Sequence, residues 1–231
     1  MSSGMAVSGA KAAAIDAGWA LVELVIAALI VAAGLLGYVA YSSTPWLLLA
    51  ATVFFWWRGP GWRAVGLRWP AHRGRILAIG LVVGVAYQGL GLYIIEPLLA
   101  RATSGQLPDV SMFRPIVGDQ ARLAIWLALV WTLAAFMEEM VYRGWIMTRV
   151  AEIGRFSRAA WVVALLVSSA IFGAVHLYQG AAGVVATALS GGVFAALYLA
   201  TGRNLWAGIL AHGFMDTVGI VMIYLGIYPG L

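Results

Sequence analysis

Glu138 and Glu139 stand side by side in a hydrophobic run, Leu123 to Met147, long enough to cross a bilayer. A carboxylate in lipid costs ~2.5–3.5 kcal/mol or more on insertion scales, so an ionisable group at that depth is a candidate functional group by default. Arg143 follows Glu139 by four residues, on the same helical face, where the two can pair. Pairing keeps Glu139 ionised and shields Arg143 from lipid. Glu138 is turned by about 100° from that face. It is left without an intrahelical cation and can face the bundle interior, where a carboxylate is placed to act as a general base. The plain alternative is a buried ion cluster that only fixes helix packing.

Two other apolar runs carry polar groups. His212 and Asp216 are four apart and share a face, a spacing that brings two side chains to one metal ion or one substrate atom. His176 lies near the end of another run, with Phe172 one turn before it. His72 sits in an arginine-rich loop and is assigned no role. Among the acids, Glu23 and Glu96 lie near run ends, which leaves Glu138, Glu139 and Asp216 as the deep set. If the helices converge, these residues supply a base, two imidazoles and a further carboxylate. Such a set can activate a water and stabilise an oxyanion, or it can hold one divalent metal ion.

The elements that must position them are read from composition and hydropathy. The 231 residues are 63% hydrophobic and only 10% charged, against roughly 25% charged in soluble domains. The expected class is all-α: a polytopic transmembrane helical bundle of about seven spans, forming one membrane domain over 1–231. Unbroken apolar runs exclude an alternating transmembrane barrel. The 28 glycines suit close helix approach. With no cysteine there is no disulfide, thiolate metal site or cysteine nucleophile. The expected spans are Trp19–Tyr41, a short Pro45–Trp57, Ile76–Leu99, Leu123–Met147, Ala159–Leu177, Ala181–Ala200 and Leu205–Tyr228. The first starts too late and runs too long for a signal-peptide core. Residues 1–18 are expected as a flexible or interfacial tail.

The net charge of +5 comes almost wholly from arginine. No basic patch interleaved with aromatics marks a nucleic-acid module, so no nucleic-acid partner is expected. The loop Arg58–Arg75 holds five arginines and no acid, and Arg149, Arg155, Arg158 and Arg203 fall on the same side. The positive-inside rule makes that side cytoplasmic, with the N-terminus inside and the C-terminus outside. Trp57, Trp62 and Trp69 suit an interfacial connector among membrane lipids.

The run Glu138-Glu139-Met-Val-Tyr-Arg143-Gly144 resembles the EExxxR motif of the CAAX-protease and bacteriocin-processing (CPBP) family of intramembrane endopeptidases, relatives of the Ras-converting CAAX endopeptidases. Phe172-Gly-Ala-Val-His176 resembles its FxxxH motif, and His212-Gly-Phe-Met-Asp216 its HxxxN motif. The resemblance covers about Trp126 to Thr217, within an expected catalytic core of 120–218. It implies hydrolysis of a peptide bond near the C-terminus or membrane-proximal part of a protein or peptide substrate, with or without a lipid attached. By carry-over, Glu138 is the base that deprotonates water, assisted by His176. His212 and Asp216 meet the oxyanion, Glu139 with Arg143 supports the site or clamps a substrate carboxylate, and Phe172 is a supporting residue. Asp216 departs from the family's asparagine and cannot donate while ionised, so either it is held protonated or it serves as a metal ligand or as an orienter of His212. A zinc metallopeptidase, with Glu138, His176, His212 and Asp216 as ligands, and a metal-free glutamate peptidase both fit.

Two other classes compete: a non-catalytic membrane interaction or bacteriocin-immunity protein, with polar groups as packing glue, and a proton-coupled transporter. No internal repeat of the transporter kind is apparent. The arginine-heavy, alanine-rich composition suggests a bacterial inner membrane.

Overall fold

A computed structural model describes the backbone of residues 2–40, 42–59 and 61–231, and side chains from Asp16 onward over the same ranges. Tyr41, the expected end of the first span, lies outside this description, as do Met1 and the side chains of most of the expected tail. The described residues form helices and loops with no strand.

Seven principal helices follow the seven apolar runs: α1 Ser2–Leu35, α2 Thr44–Arg58, α3 Arg73–Ala102, α4 Gln120–Ile153, α5 Arg158–Ala174, α6 Gly180–Ala200 and α7 Leu205–Tyr224. Polar side chains at the loop ends start them. Asp119 caps α4 by accepting from Arg122 N, Ser157 caps α5 by accepting from Ala160 N, and Asn204 caps α7 by accepting from Trp206 N. Among the described helices, five are long and apolar enough to cross a membrane: α1 from Asp16, α3, α4, α6 extended back to Leu177, and α7. The shorter α5 and α2 have 17 and 15 residues, so the expected count of seven is approximate. The protein is a multi-pass helical membrane protein.

All seven helices run between the same two ends of the bundle. At one end, Leu205 N donates to Gly66 O at 3.1 Å, Arg68 donates to Gly202 O at 3.1 Å, and Arg58 pairs with Glu152 at 2.6 Å. At the other, Asp109 N donates to Gln179 O and Gly118 N to Tyr224 O, both at 3.0 Å. The loop arginines that the charge pattern put on one side therefore gather at one end. Arg101, Arg114 and Arg122 lie at the other.

Small residues set the helix spacing. On α3, Gly80 and Gly84 lie against α7: a Cβ at Gly80 would run into Leu210, and one at Gly84 into the carbonyl oxygen of Ala211 and Met215 N. This is the small-xxx-small contact by which membrane helices gain dispersion energy, since lipid offers no hydrophobic drive between them. Gly173 of α5 meets Val184 and Ala188 of α6 in the same way.

A buried ion network ties α1, α2 and the end of α4 together. Glu23, wholly buried, pairs with Arg58 at 2.6 Å and Arg149 at 3.6 Å and accepts from Trp145 Nε1 at 2.5 Å. Glu152 closes the ring, 2.6 Å from each arginine. Position near a run end had set Glu23 aside as unremarkable. The network appears only when helices distant in sequence meet.

Candidate functional site

The backbone of α4 is not regular where the acids lie. It widens to π-helical turns over Val130–Glu138 and Met140–Ile146. Such insertions inside α-helices recur at functional sites because they redirect side chains. Here the two glutamates go to different places. Glu138 is half-buried and faces a cavity of about 1080 Å3. Glu139 is wholly buried behind the cavity wall.

Glu139 Oε1 accepts from Arg143 Nη1 at 2.7 Å, the i,i+4 pair that the spacing suggested. The same oxygen stands 3.2 Å from His212 Nδ1 on α7. Arg143, also wholly buried, donates through Nη2 to Gly191 O of α6 at 2.8 Å. Its guanidinium lies 4.6 Å from the ring centre of Phe172 and 5.4 Å from that of Phe194. Two glycines make room: a Cβ on Gly208 would press on the Glu139 carboxylate, and one on Gly191 would crowd Arg143 and Phe172. Neither Glu139 nor Arg143 lines the cavity, so Arg143 is not placed to clamp a substrate carboxylate.

His212 is held on every side. Its ring stacks on Phe194 at 4.7 Å and 18°, with Phe172 edge-on at 5.8 Å. Nε2 lies 3.4 Å from Asp216 Oδ2. Nδ1 carries a hydrogen toward Glu139, while Nε2 stands within ion-pair range of Asp216. Asp216 therefore orients His212 from the cavity side while Glu139 orients it from behind.

His176 lies just past the end of α5, in the turn before Leu177–Gln179, where the expected span ran on to Leu177. Its Nδ1 is 2.7 Å from Phe172 O. A carbonyl oxygen only accepts, so Nδ1 carries the hydrogen and Nε2 of the neutral ring is left as a free acceptor. The first and last residues of the Phe172–His176 motif are thus joined by one hydrogen bond.

Glu138, His176, His212 and Asp216 all line the same cavity, and Glu138 is near enough to His212 and Asp216 to feel their charges. The arrangement offers a carboxylate and a ring nitrogen that can each accept a proton, opposite an imidazole that can donate. Among the described residues, no group of three or more His, Asp and Glu side chains is placed to hold a metal ion. Both nitrogens of His212 already face carboxylates. These residues can act as base, acceptor and donor without a metal, and the reaction proposed for them uses none.

Sequence reasoning missed Phe194, Gly191 and Gly208, which shape the pocket for His212, Glu139 and Arg143. Phe194 and Gly191 lie on α6, a helix with no charged residue to draw attention. It also passed over Glu96, which lines the cavity from α3.

Residues 120–218 match the model of the family described as type II CAAX prenyl endopeptidase Rce1-like. This segment contains all three motifs and the residues that gather around the cavity from α4 to α7. The helices before Gln120 lie outside it. No curated protein and no solved structure matches the chain.

Proposed function

We propose, from the match of residues 120–218 to the Rce1-like endopeptidase family, that this protein hydrolyses a peptide bond within or beside the membrane. The bond lies near the C-terminus or membrane-proximal part of a protein or peptide substrate. The observation that carries this reading is the shared cavity of Glu138, His176, His212 and Asp216.

In the proposed reaction a water binds between Glu138 and Nε2 of His176. Glu138 takes a proton as the water oxygen bonds to the scissile carbonyl carbon. Negative charge develops on the carbonyl oxygen and is met by the Nε2–H of His212, which Glu139, Asp216 and Phe194 hold in place. The C–N bond then breaks, and Glu138 returns its proton to the leaving amine. The products are a carboxylic acid, which keeps the water's second proton until it ionises, and an amine, and no other reactant is consumed. Asp216 serves as the orienter of His212 rather than as an oxyanion donor.

The arginine-rich end faces the cytoplasm by the positive-inside rule. The cavity wall reaches the opposite, arginine-poor loops through Pro108 to Phe113 and Ser42 to Thr44. A bacterial inner membrane, with the substrate reaching the site from the non-cytoplasmic side, accords with both features.

The test is cleavage of a hydrophobic peptide library by purified protein in detergent. Glu138→Ala and His176→Ala are each expected to lose about 10²–10⁴-fold in rate while melting at the wild-type temperature. Unchanged cleavage by either variant sinks this scheme.

A further inference from the structure

Resting on the endopeptidase reading above, we propose that the cavity recognises a cationic group of its substrate, an ammonium or guanidinium close to the scissile bond, and that Glu96 on α3 is the residue that receives it.

The buried acids of this protein are almost all matched. Glu23 and Glu152 share Arg58 and Arg149. Glu139 holds Arg143, and Asp216 faces His212. Two acids within the helices, Glu138 and Glu96, have no ion pair or hydrogen bond with a described residue, and both line the cavity. Glu138 has a place in the chemistry. Glu96 does not, although an acid in a membrane helix is costly to retain.

Its setting is built. The turn of α3 just before it, Gly91–Ile95, is π-helical, and the N–H of Glu96 donates to Gly91 O across that wide turn. The missing side chain of Gly91 leaves the Glu96 carboxylate beside open backbone. Tyr87 of the same helix and Tyr228 from the C-terminal segment are near enough to feel its charge. Both line the cavity, as does Gln88. An unpaired carboxylate on a cavity wall that also carries two tyrosines and Gln88 suits a cation, which its charge attracts.

The charge of the whole lining points the same way. Glu96, Asp109, Glu138 and Asp216 border the cavity, and no arginine or lysine does among the described residues. Asp109 stays ionised on its exposed loop, because hydrogen bonds from Ser111 hold its carboxyl below the ordinary carboxylate range. A lining with four acids and no arginine or lysine favours a cation over a free carboxylate. Two sources share the required chemistry: a Lys or Arg side chain, and a free N-terminal amine.

The probes are synthetic peptides of sequence Leu-Ala-Lys-Ala-Leu and the analogue with norleucine for lysine, each with a free and an acetylated N-terminus. Binding is read from tryptophan fluorescence of Glu138→Gln protein in detergent, so the measurement does not depend on cleavage. A cationic probe is expected to bind roughly tenfold or more tightly than the acetylated norleucine peptide. In Glu138→Gln/Glu96→Gln protein that ratio falls to about one. A preference for the acetylated lysine peptide assigns the side chain, and one for the free-amine norleucine peptide assigns the terminus. Equal binding of all four peptides overturns the proposal without any Glu96 variant, as does a preference that survives Glu96→Gln. Failure of the endopeptidase reading shows separately, as absent cleavage by wild-type protein that still binds the cationic probes.

Discussion

Glu139→Gln removes a charge and keeps a shape. In the native protein Glu139 and Arg143 are both wholly buried, their contact is 2.7 Å, and the same carboxylate oxygen meets His212 at 3.2 Å. Removing one partner of a buried ion pair leaves an uncompensated charge and costs ~3–5 kcal/mol. Glutamine retains a carbonyl for one hydrogen bond. Arg143 also keeps Gly191 O at 2.8 Å and the faces of Phe172 and Phe194. The loss therefore falls at the lower bound, about 3 kcal/mol, which for a chain of this length lowers Tm by about 6–12 °C. The double variant Glu139→Gln/Arg143→Met removes the orphaned guanidinium and fills its space with an apolar side chain. It is expected to recover most of that stability. Neither variant recovers activity, because His212 has lost the carboxylate that fixes Nδ1. The assay is a melting curve in detergent followed by tryptophan fluorescence, beside peptide cleavage. A single variant melting within about 2 °C of wild type contradicts the burial argument. A fully active double variant contradicts the orienting role of Glu139.

Further outcomes follow from packing and charge. Gly84→Val puts a branched side chain where even a Cβ meets Ala211 O and Met215 N; overpacking costs about 1–3 kcal/mol, and Tm should fall accordingly, whereas an unchanged Tm refutes the close α3–α7 contact. Glu23→Ala strips the shared partner from Arg58 and Arg149 and should cost ~3–5 kcal/mol, read by the same melting assay, with Glu152 retaining both arginines. Peptide cleavage should continue at its full rate after prolonged dialysis against a strong chelator, and its loss with recovery on adding Zn2+ would return the metal alternative.

The three motif segments were legible because each is short and local. Glu139 and Arg143 are four apart on one helix, and that spacing alone leads to their pair at 2.7 Å. The apolar runs likewise marked all seven helices, since the period and length of a membrane helix are properties of the run itself. What could not be read is contact between helices. Glu23 and Glu96 were set aside because depth along a helix was the sole measure at hand. Yet Glu23 proves wholly buried, and Glu96 borders the cavity. Phe194 carries no charge and no motif, and only the fold puts its ring against His212. The link from Glu139 to His212 spans 73 residues, and no local pattern encodes it. The end of α5 was overrun by three residues, because Val175 and Leu177 extend the apolar run while the backbone has already turned.

The ring of Glu23, Arg58, Arg149 and Glu152 also constrains the order in which the protein can be assembled. α1 leaves the ribosome first, carrying a carboxylate whose nearer partner, Arg58, follows 35 residues later. The indole that donates to it lies 122 residues downstream. During synthesis the acid can meet Arg58 once α2 is made, but its contacts with Trp145 and Arg149 wait for α4. A chain stopped before Trp145 holds the acid of α1 by its Arg58 pair alone, with half of the ring still to come.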